Sequence, residues 1–129
     1  MSYYYEEEEL EIGDIFVILK EIQTVNPAQY RQLYVNTVYQ FLYDISQYLQ
    51  YFPSGQFVLF SSDEMQIYII NNVIQATYNG QLILGLIQIA QTVSQLLNYD
   101  FALLNSFLSA VYYNLQQIQK EIVPPQTAV

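Results

Sequence analysis

Residues 61–80 read Ser61-Ser62-Asp63-Glu64-Met65-Gln66-Ile67-Tyr68-Ile69-Ile70-Asn71-Asn72-Val73-Ile74-Gln75-Ala76-Thr77-Tyr78-Asn79-Gly80. The opening Ser61 to Glu64 has the form of a capping box, in which the Ser61 hydroxyl and the Glu64 carboxylate satisfy each other's backbone donors. The spacing then predicts a helix to about Tyr78, with Met65, Ile69, Val73 and Ala76 on one seam. Ile67, Ile70 and Ile74 add a second apolar side, so this helix needs more than one partner. The same β-branched density permits a strand, because such side chains lose rotamer freedom in a helix and pack well on a pleated surface. Asn79-Gly80 breaks the pattern.

Working outward, the segments on both sides read as helices. Gln81 to Asn98 carries Ile83, Leu86, Ile87, Ala90, Val93 and Leu97 on one broad face, flanked by Leu82, Ile89 and Leu96. A helix apolar on most sides is central in its domain or covered by a neighbour. Gly85 within it suits a close helix crossing. Asp100 can cap a further helix, in which Leu104, Leu108, Val111, Leu115, Ile118 and Ile122 repeat at spacings of 4, 3, 4, 3 and 4 before Pro124-Pro125 stops it. On the other side, Asn26-Pro27 is a cap followed by proline at the first helical position. From it a helix to about Phe52 carries Tyr34, Val38, Phe41, Ile45, Tyr48 and Phe52 at the same spacings. Pro53-Ser54-Gly55 ends it, and Phe57 to Phe60 fits either a strand or a buried connector. A first, shorter helix starts near Asp14 and stops near Asn26, with Ile15, Ile18, Leu19 and Ile22 on one face. Short connections between such helices favour antiparallel neighbours. The expected fold is therefore all-α: an antiparallel four-helix bundle with an additional short N-terminal helix, occupying residues 13–123. Residues 1–12 form an acidic, Tyr-rich tail and residues 124–129 a C-terminal tail.

Composition constrains function more sharply than any motif. Of 129 residues, 53% are apolar and 14 are Tyr, yet only 12% are charged, about half the usual share of a soluble domain. Lys20, Arg31 and Lys120 are the only basic residues against 12 acidic ones, giving a formal charge of -9. Phosphate binding needs several Lys or Arg on one face, so direct nucleic-acid binding is not expected. Below about pH 3 the carboxylates protonate and the chain carries roughly +4, so acid builds little self-repulsion. An acidic exterior is one habitat that this suits; a quiet surface covered by neighbouring subunits is the other reading, and the two are compatible.

With no His and no Cys, the commonest general bases, thiol nucleophiles and soft metal ligands are missing. Asp63, Glu64 and Asp100 are read at helix starts, where the dipole stabilises negative charge, and Glu121 lies beside Lys120 on a terminal turn. Asp44 is read on a solvent flank. The run Glu6 to Glu9 lacks the alternating oxygen ligands and turn glycine of a calcium loop. No catalytic, cofactor-binding or metal-ligating residue is expected, and the protein is read as not an enzyme. Tyr39 and Tyr43 lie about 160° around their helix from Phe41 and Ile45, and Tyr113 is similarly opposite Val111. Tyrosine supplies large contact area at low entropy cost and tolerates water. With the second apolar side Ile67, Ile70 and Ile74, these three tyrosines are the candidate interface. Polar residues interrupt every apolar window short of the 18 or so residues of a membrane span.

The Tyr3-Tyr4-Tyr5 opening, the Tyr-, Ile- and Gln-rich usage and the apolar segments on either side of Asn79-Gly80 resemble the small coat proteins of tailed spindle-shaped viruses of archaea from hot acidic springs. The resemblance covers most of the chain as an overall style without a diagnostic motif. It implies a helical subunit that assembles with itself into a virion shell, with lipid or other virion proteins as further partners and with no catalytic residues to transfer. So few basic residues leave genome neutralisation to another protein or to lipid. The competing expectation is an intracellular adaptor in the host cytoplasm, binding a partner through the hairpin around Asn79-Gly80 or the acidic tail.

Overall fold

The computed structural model describes residues 26–122. The expected first helix and both tails, with the run Glu6 to Glu9, lie outside the described residues. The elements run α1 (Pro27–Tyr48), a 3-10 turn (Leu49–Tyr51), β1 (Gln56–Ser61), β2 (Met65–Ile70), β3 (Val73–Tyr78), β4 (Gln81–Ile83), α2 (Leu86–Leu96) and α3 (Phe101–Ile122). The four strands form one antiparallel sheet in the order β1-β2-β3-β4. The all-α four-helix bundle is thereby overturned: the fold is a mixed one, an antiparallel meander carrying three helices.

The correction falls on residues 61–83. Ser61 to Glu64 is no capping box: Ser62 N–H donates to Met65 O (2.8 Å) and the Ser62 hydroxyl accepts from Met65 N–H (3.1 Å), closing the β1–β2 turn. Asn71 (φ 49°) and Asn72 (φ 72°) then make a two-residue connection between β2 and β3. Asn79 (φ 50°) and Gly80 (φ 82°) repeat it between β3 and β4. Two consecutive left-handed residues match the right-handed twist of paired strands, and Asn and Gly adopt that conformation at least cost. Each turn sets a register that alternates side chains across the sheet. Met65, Ile67 and Ile69 on β2 and Ile74 and Ala76 on β3 all point inward and are buried. The helical seam through Met65, Ile69, Val73 and Ala76 would have left Ile67 and Ile74 on a different side; the hairpin buries them with Met65, Ile69 and Ala76 and turns Val73 out to solvent. Phe57 to Phe60 is strand, with a bulge at Leu59, whose side chain enters the core.

The helices that flank the sheet follow their seams. Asn26 caps α1, its side chain accepting from Ala28 N–H at 2.8 Å, with Pro27 at the first position. Tyr34, Val38, Phe41 and Ile45 are buried along one face, and the helix gives way to the 3-10 turn before Phe52. The helix expected from Gln81 starts only at Leu86, because Gln81 to Ile83 pairs with β3. Gly85 (φ 91°) supplies the left-handed turn before α2 instead of a close helix crossing, and open space surrounds the position of its absent Cβ. Asp100 caps α3 by accepting from Leu103 N–H at 2.9 Å. Leu104, Leu108, Val111, Leu115 and Ile118 form the buried face of α3. That helix lies against β1: the Phe60 and Phe107 rings meet edge to face at 4.9 Å, and Asn114 donates to Leu59 O at 2.9 Å. The single core lies between the helices and one face of the sheet. Burying each Leu, Ile or Val there contributes about 1.5–3 kcal/mol, offset by the entropy of ordering the chain.

Candidate functional site

Alternation along the strands gives the sheet a second face, directed away from the core. It is built from Gln56, Val58 and Ser61 of β1, Gln66, Tyr68 and Ile70 of β2, Val73, Gln75 and Thr77 of β3, and Leu82 of β4. The pairing sets them in three rows: Gln56 with Ile70 and Val73, Val58 with Tyr68 and Gln75, and Ser61 with Gln66, Thr77 and Leu82. Val58, Val73 and Leu82 are 52%, 54% and 58% exposed. Within the last row the polar groups partly satisfy one another: Thr77 Oγ1 donates to Gln66 Oε1 (2.8 Å) and Gln66 Nε2 donates to Ser62 O (2.7 Å).

This face holds no charge. The charged residues of the described chain are Arg31, Asp44, Asp63, Glu64, Asp100, Lys120 and Glu121, and none belongs to its ten positions. Asp63 and Glu64 stand in the β1–β2 turn at one end. Beside β1, a shallow groove of about 330 Å³ runs against α3, lined by Gln56, Phe57, Val58, Asn114, Gln117, Ile118 and Glu121. A sheet face left to water ordinarily carries polar side chains in alternation with the buried ones, whereas fully buried interface centres are depleted of charge and rich in tyrosine.

The residues expected at an interface divide between surface and core. Tyr39 and Tyr43 stack at 6.1 Å with an interplanar angle of 22°; Tyr43 is 40% exposed, whereas Tyr39, expected outward, is half-buried against the core. Tyr113 on α3 is 60% exposed. Leu33, Ile87 and Leu103 add further exposed apolar side chains to the helices. Ile70 belongs to the outer sheet face. Ile67 and Ile74 do not: both are core residues and present nothing to a partner. The sequence reading missed Val58, Tyr68, Val73 and Leu82. The signal was there in the alternation Gln66, Tyr68, Ile70 and Gln75, Thr77, masked by a helical seam through the same segment.

A second polar cluster joins α1 to the α2–α3 connection. Tyr30 donates to Tyr99 O and Tyr34 to Asp100 O, each at 2.8 Å. The Tyr34 and Tyr99 rings meet edge to face at 5.4 Å, and the Arg31 guanidinium lies 4.7 Å from the centre of the Tyr99 ring. Asn98 and Tyr99 both take positive φ. Burial, reinforced by Tyr30, Asp100 and Tyr99, pushes the Tyr34 hydroxyl well above the ordinary tyrosine range. Burial and then Asp100 raise Tyr30. The cluster keeps its phenols neutral and donating, so it serves as a clasp for the helix ends. Among the described residues no three His, Cys, Asp or Glu side chains gather where they could hold a metal ion, and no helix is long and apolar enough to cross a membrane.

Comparison with protein-family models, with curated proteins and with solved structures yields no match, so nothing in them ties the chain to the coat proteins that its sequence resembles.

Proposed function

We propose that this protein is a non-catalytic structural subunit that packs against copies of itself. The observation that carries this reading is the uncharged outer face of the sheet, which exposes Val58, Val73 and Leu82 to water in a chain whose formal charge is -9. Copies that repel one another through their carboxylates can approach only where those are absent, and the sheet face is such a place. The outward tyrosines Tyr43 and Tyr113 lie on helices, away from that face. Two separate contact surfaces allow growth beyond a closed pair, the property a shell-forming subunit needs. The coat-protein resemblance supplies the setting of a virion shell, which mass spectrometry of purified particles tests directly. Sedimentation of the purified chain over a concentration series and over pH 3 to 7 tests self-assembly itself. Concentration-dependent association is the expected result, and a strict monomer under every condition sinks the reading.

A further inference from the structure

We infer that the main-chain edge of β1 takes up an extended, basic segment of another protein, which adds a strand to the sheet and sits in the groove against α3. This contact goes beyond self-packing and needs neither the outer sheet face nor the outward tyrosines.

Antiparallel strands alternate between residue pairs that exchange both main-chain bonds and pairs that exchange none. Asn71 N–H donates to Gly55 O (2.8 Å), which makes Phe57 with Ile69 the next bonded pair and leaves Gln56 with Ile70 and Val58 with Tyr68 unbonded. The N–H and C=O groups of Gln56 and Val58 therefore point away from β2. Among the described residues β1 is the outermost strand on this side, so these groups point to the sheet edge. An edge is a template for a further strand unless charge, proline, short length or a cover blunts it. The opposite edge, β4, is blunted by having 3 residues. β1 has 6, with neither charge nor proline among them. Its bulge and a cover protect the far half: at Leu59 the carbonyl already accepts from Asn114 of α3 at 2.9 Å. Gln56 and Val58, by contrast, line the groove.

The walls of the groove select the occupant. Contacts descend β1 as they ascend α3, Phe107 with Phe60 and then Asn114 with Leu59, which sets Glu121 at the Gln56 end. Glu121 is the one charge among the described residues of the lining, and its neighbour Lys120 does not line it. An incoming strand antiparallel to β1 turns alternate side chains toward α3. An apolar one opposite Phe57 meets Ile118, and a Lys or Arg two residues later, toward its C-terminal end, meets Glu121. Main-chain bonds supply the affinity and these two side chains the selection. The β1 edge of a second copy is a poor occupant. It carries no basic residue, and its own α3 arrives on the same side of the joined sheet. Two helix axes need about 8–10 Å, whereas paired strands lie about 4.8 Å apart.

The probe is the end-blocked peptide Val-Thr-Val-Thr-Lys, titrated to millimolar concentration into the isotope-labelled full chain and followed by amide NMR. Two control peptides accompany it, one N-methylated at both threonines to remove the bonding N–H groups, the other with Glu in place of Lys. Expected are saturable shifts of the Gln56 and Val58 amides while Leu82 on the β4 edge stays unmoved. N-methylation should weaken binding about tenfold or more, and the Glu end about threefold or more. Val58→Pro deletes an outward N–H without breaking a ladder bond and should lose binding, with circular dichroism to show that it folds. Glu121→Lys, at an exposed position, is the second variant and should reverse the preference between Lys and Glu peptides. No saturable shift at Gln56 and Val58, equal binding of the N-methylated peptide, or an unchanged preference in Glu121→Lys overturns the inference. It is also overturned when those amides shift with chain concentration alone and ignore the peptide, which gives the edge to a second copy. Sedimentation decides self-assembly separately from all of these.

Discussion

Asn72 joins the two layers of the fold, and replacing it tests how they are held together. Its side chain gives both amide hydrogens to Leu49 O and Phe52 O, at 2.7 and 2.6 Å, where α1 and its 3-10 turn run out of internal donors. Its backbone sits at φ 72°. Asn72→Gly keeps that φ at no steric cost and removes both hydrogen bonds, at about 0.5–1.5 kcal/mol each. The expected loss is about 1–3 kcal/mol, with a few tenths more from the added freedom of glycine in the unfolded chain. Asn72→Ala loses the same bonds and adds the left-handed penalty of about 1–2 kcal/mol, giving about 2–5 kcal/mol in all. Urea unfolding followed by circular dichroism, at one protein concentration because association also stabilises, measures both. Each kcal/mol lowers the melting temperature by about 4 °C in a chain of this size. Asn72→Gly indistinguishable from wild type would refute the tie between the hairpin and α1. Equal losses for Gly and Ala would refute the left-handed turn.

Ile69→Ala removes a fully buried side chain from the inward face of β2 and should cost about 2–5 kcal/mol; a loss under about 1 kcal/mol in the same urea experiment would place that residue at the surface, as another strand register requires. Tyr30 and Tyr34 have raised pKa values in the folded chain, so at high pH the folded state holds more protons than the unfolded one. Their contribution is therefore full below about pH 10 and declines as the pH rises above it. Urea midpoints between pH 8 and 11 should fall, and Tyr34→Phe, which loses about 1 kcal/mol at neutral pH with its bond to Asp100 O, should fall less steeply over that range.

Residues 27–48 and 101–122 were legible because local signals agreed. Asn26-Pro27 and Asp100 each start a helix with a side-chain acceptor, and each helix carries one apolar seam. No local rule arbitrated residues 65–78. Met65, Ile69, Val73 and Ala76 suit a 3.6-residue period, while Met65, Ile67, Ile69 and then Ile74, Ala76, Tyr78 suit a period of two. The six β-branched residues in that stretch left a strand open without choosing it. Asn71-Asn72 was the overlooked clue, since a helix gains nothing from two adjacent asparagines and a tight hairpin takes both in left-handed geometry.

The candidate surface followed the same division. Tyr43 and Tyr113 were placed outward by helical phase alone, whereas Tyr39, placed outward by the same phase, packs half-buried against the core. The sheet face stayed hidden behind the helical seam, because turning residues 65–78 from helix to hairpin exchanges the neighbours of nearly every side chain. Ile67 and Ile74 went from expected contacts to core, and Val73 went from seam to surface.

What the amino-acid sequence by itself determined is the chemistry available: no imidazole, no thiol, three basic residues and a surface built from amides and phenols. It also determined the long helices at 27–48 and 101–122, whose caps and seams are local. Only the tertiary structure decided that the segment between them pairs as a sheet. Strand pairing is a contact between distant residues, and its energy comes from the partner strands and from the helices that cover Ile67, Ile69 and Ile74, none of which a window of local sequence contains.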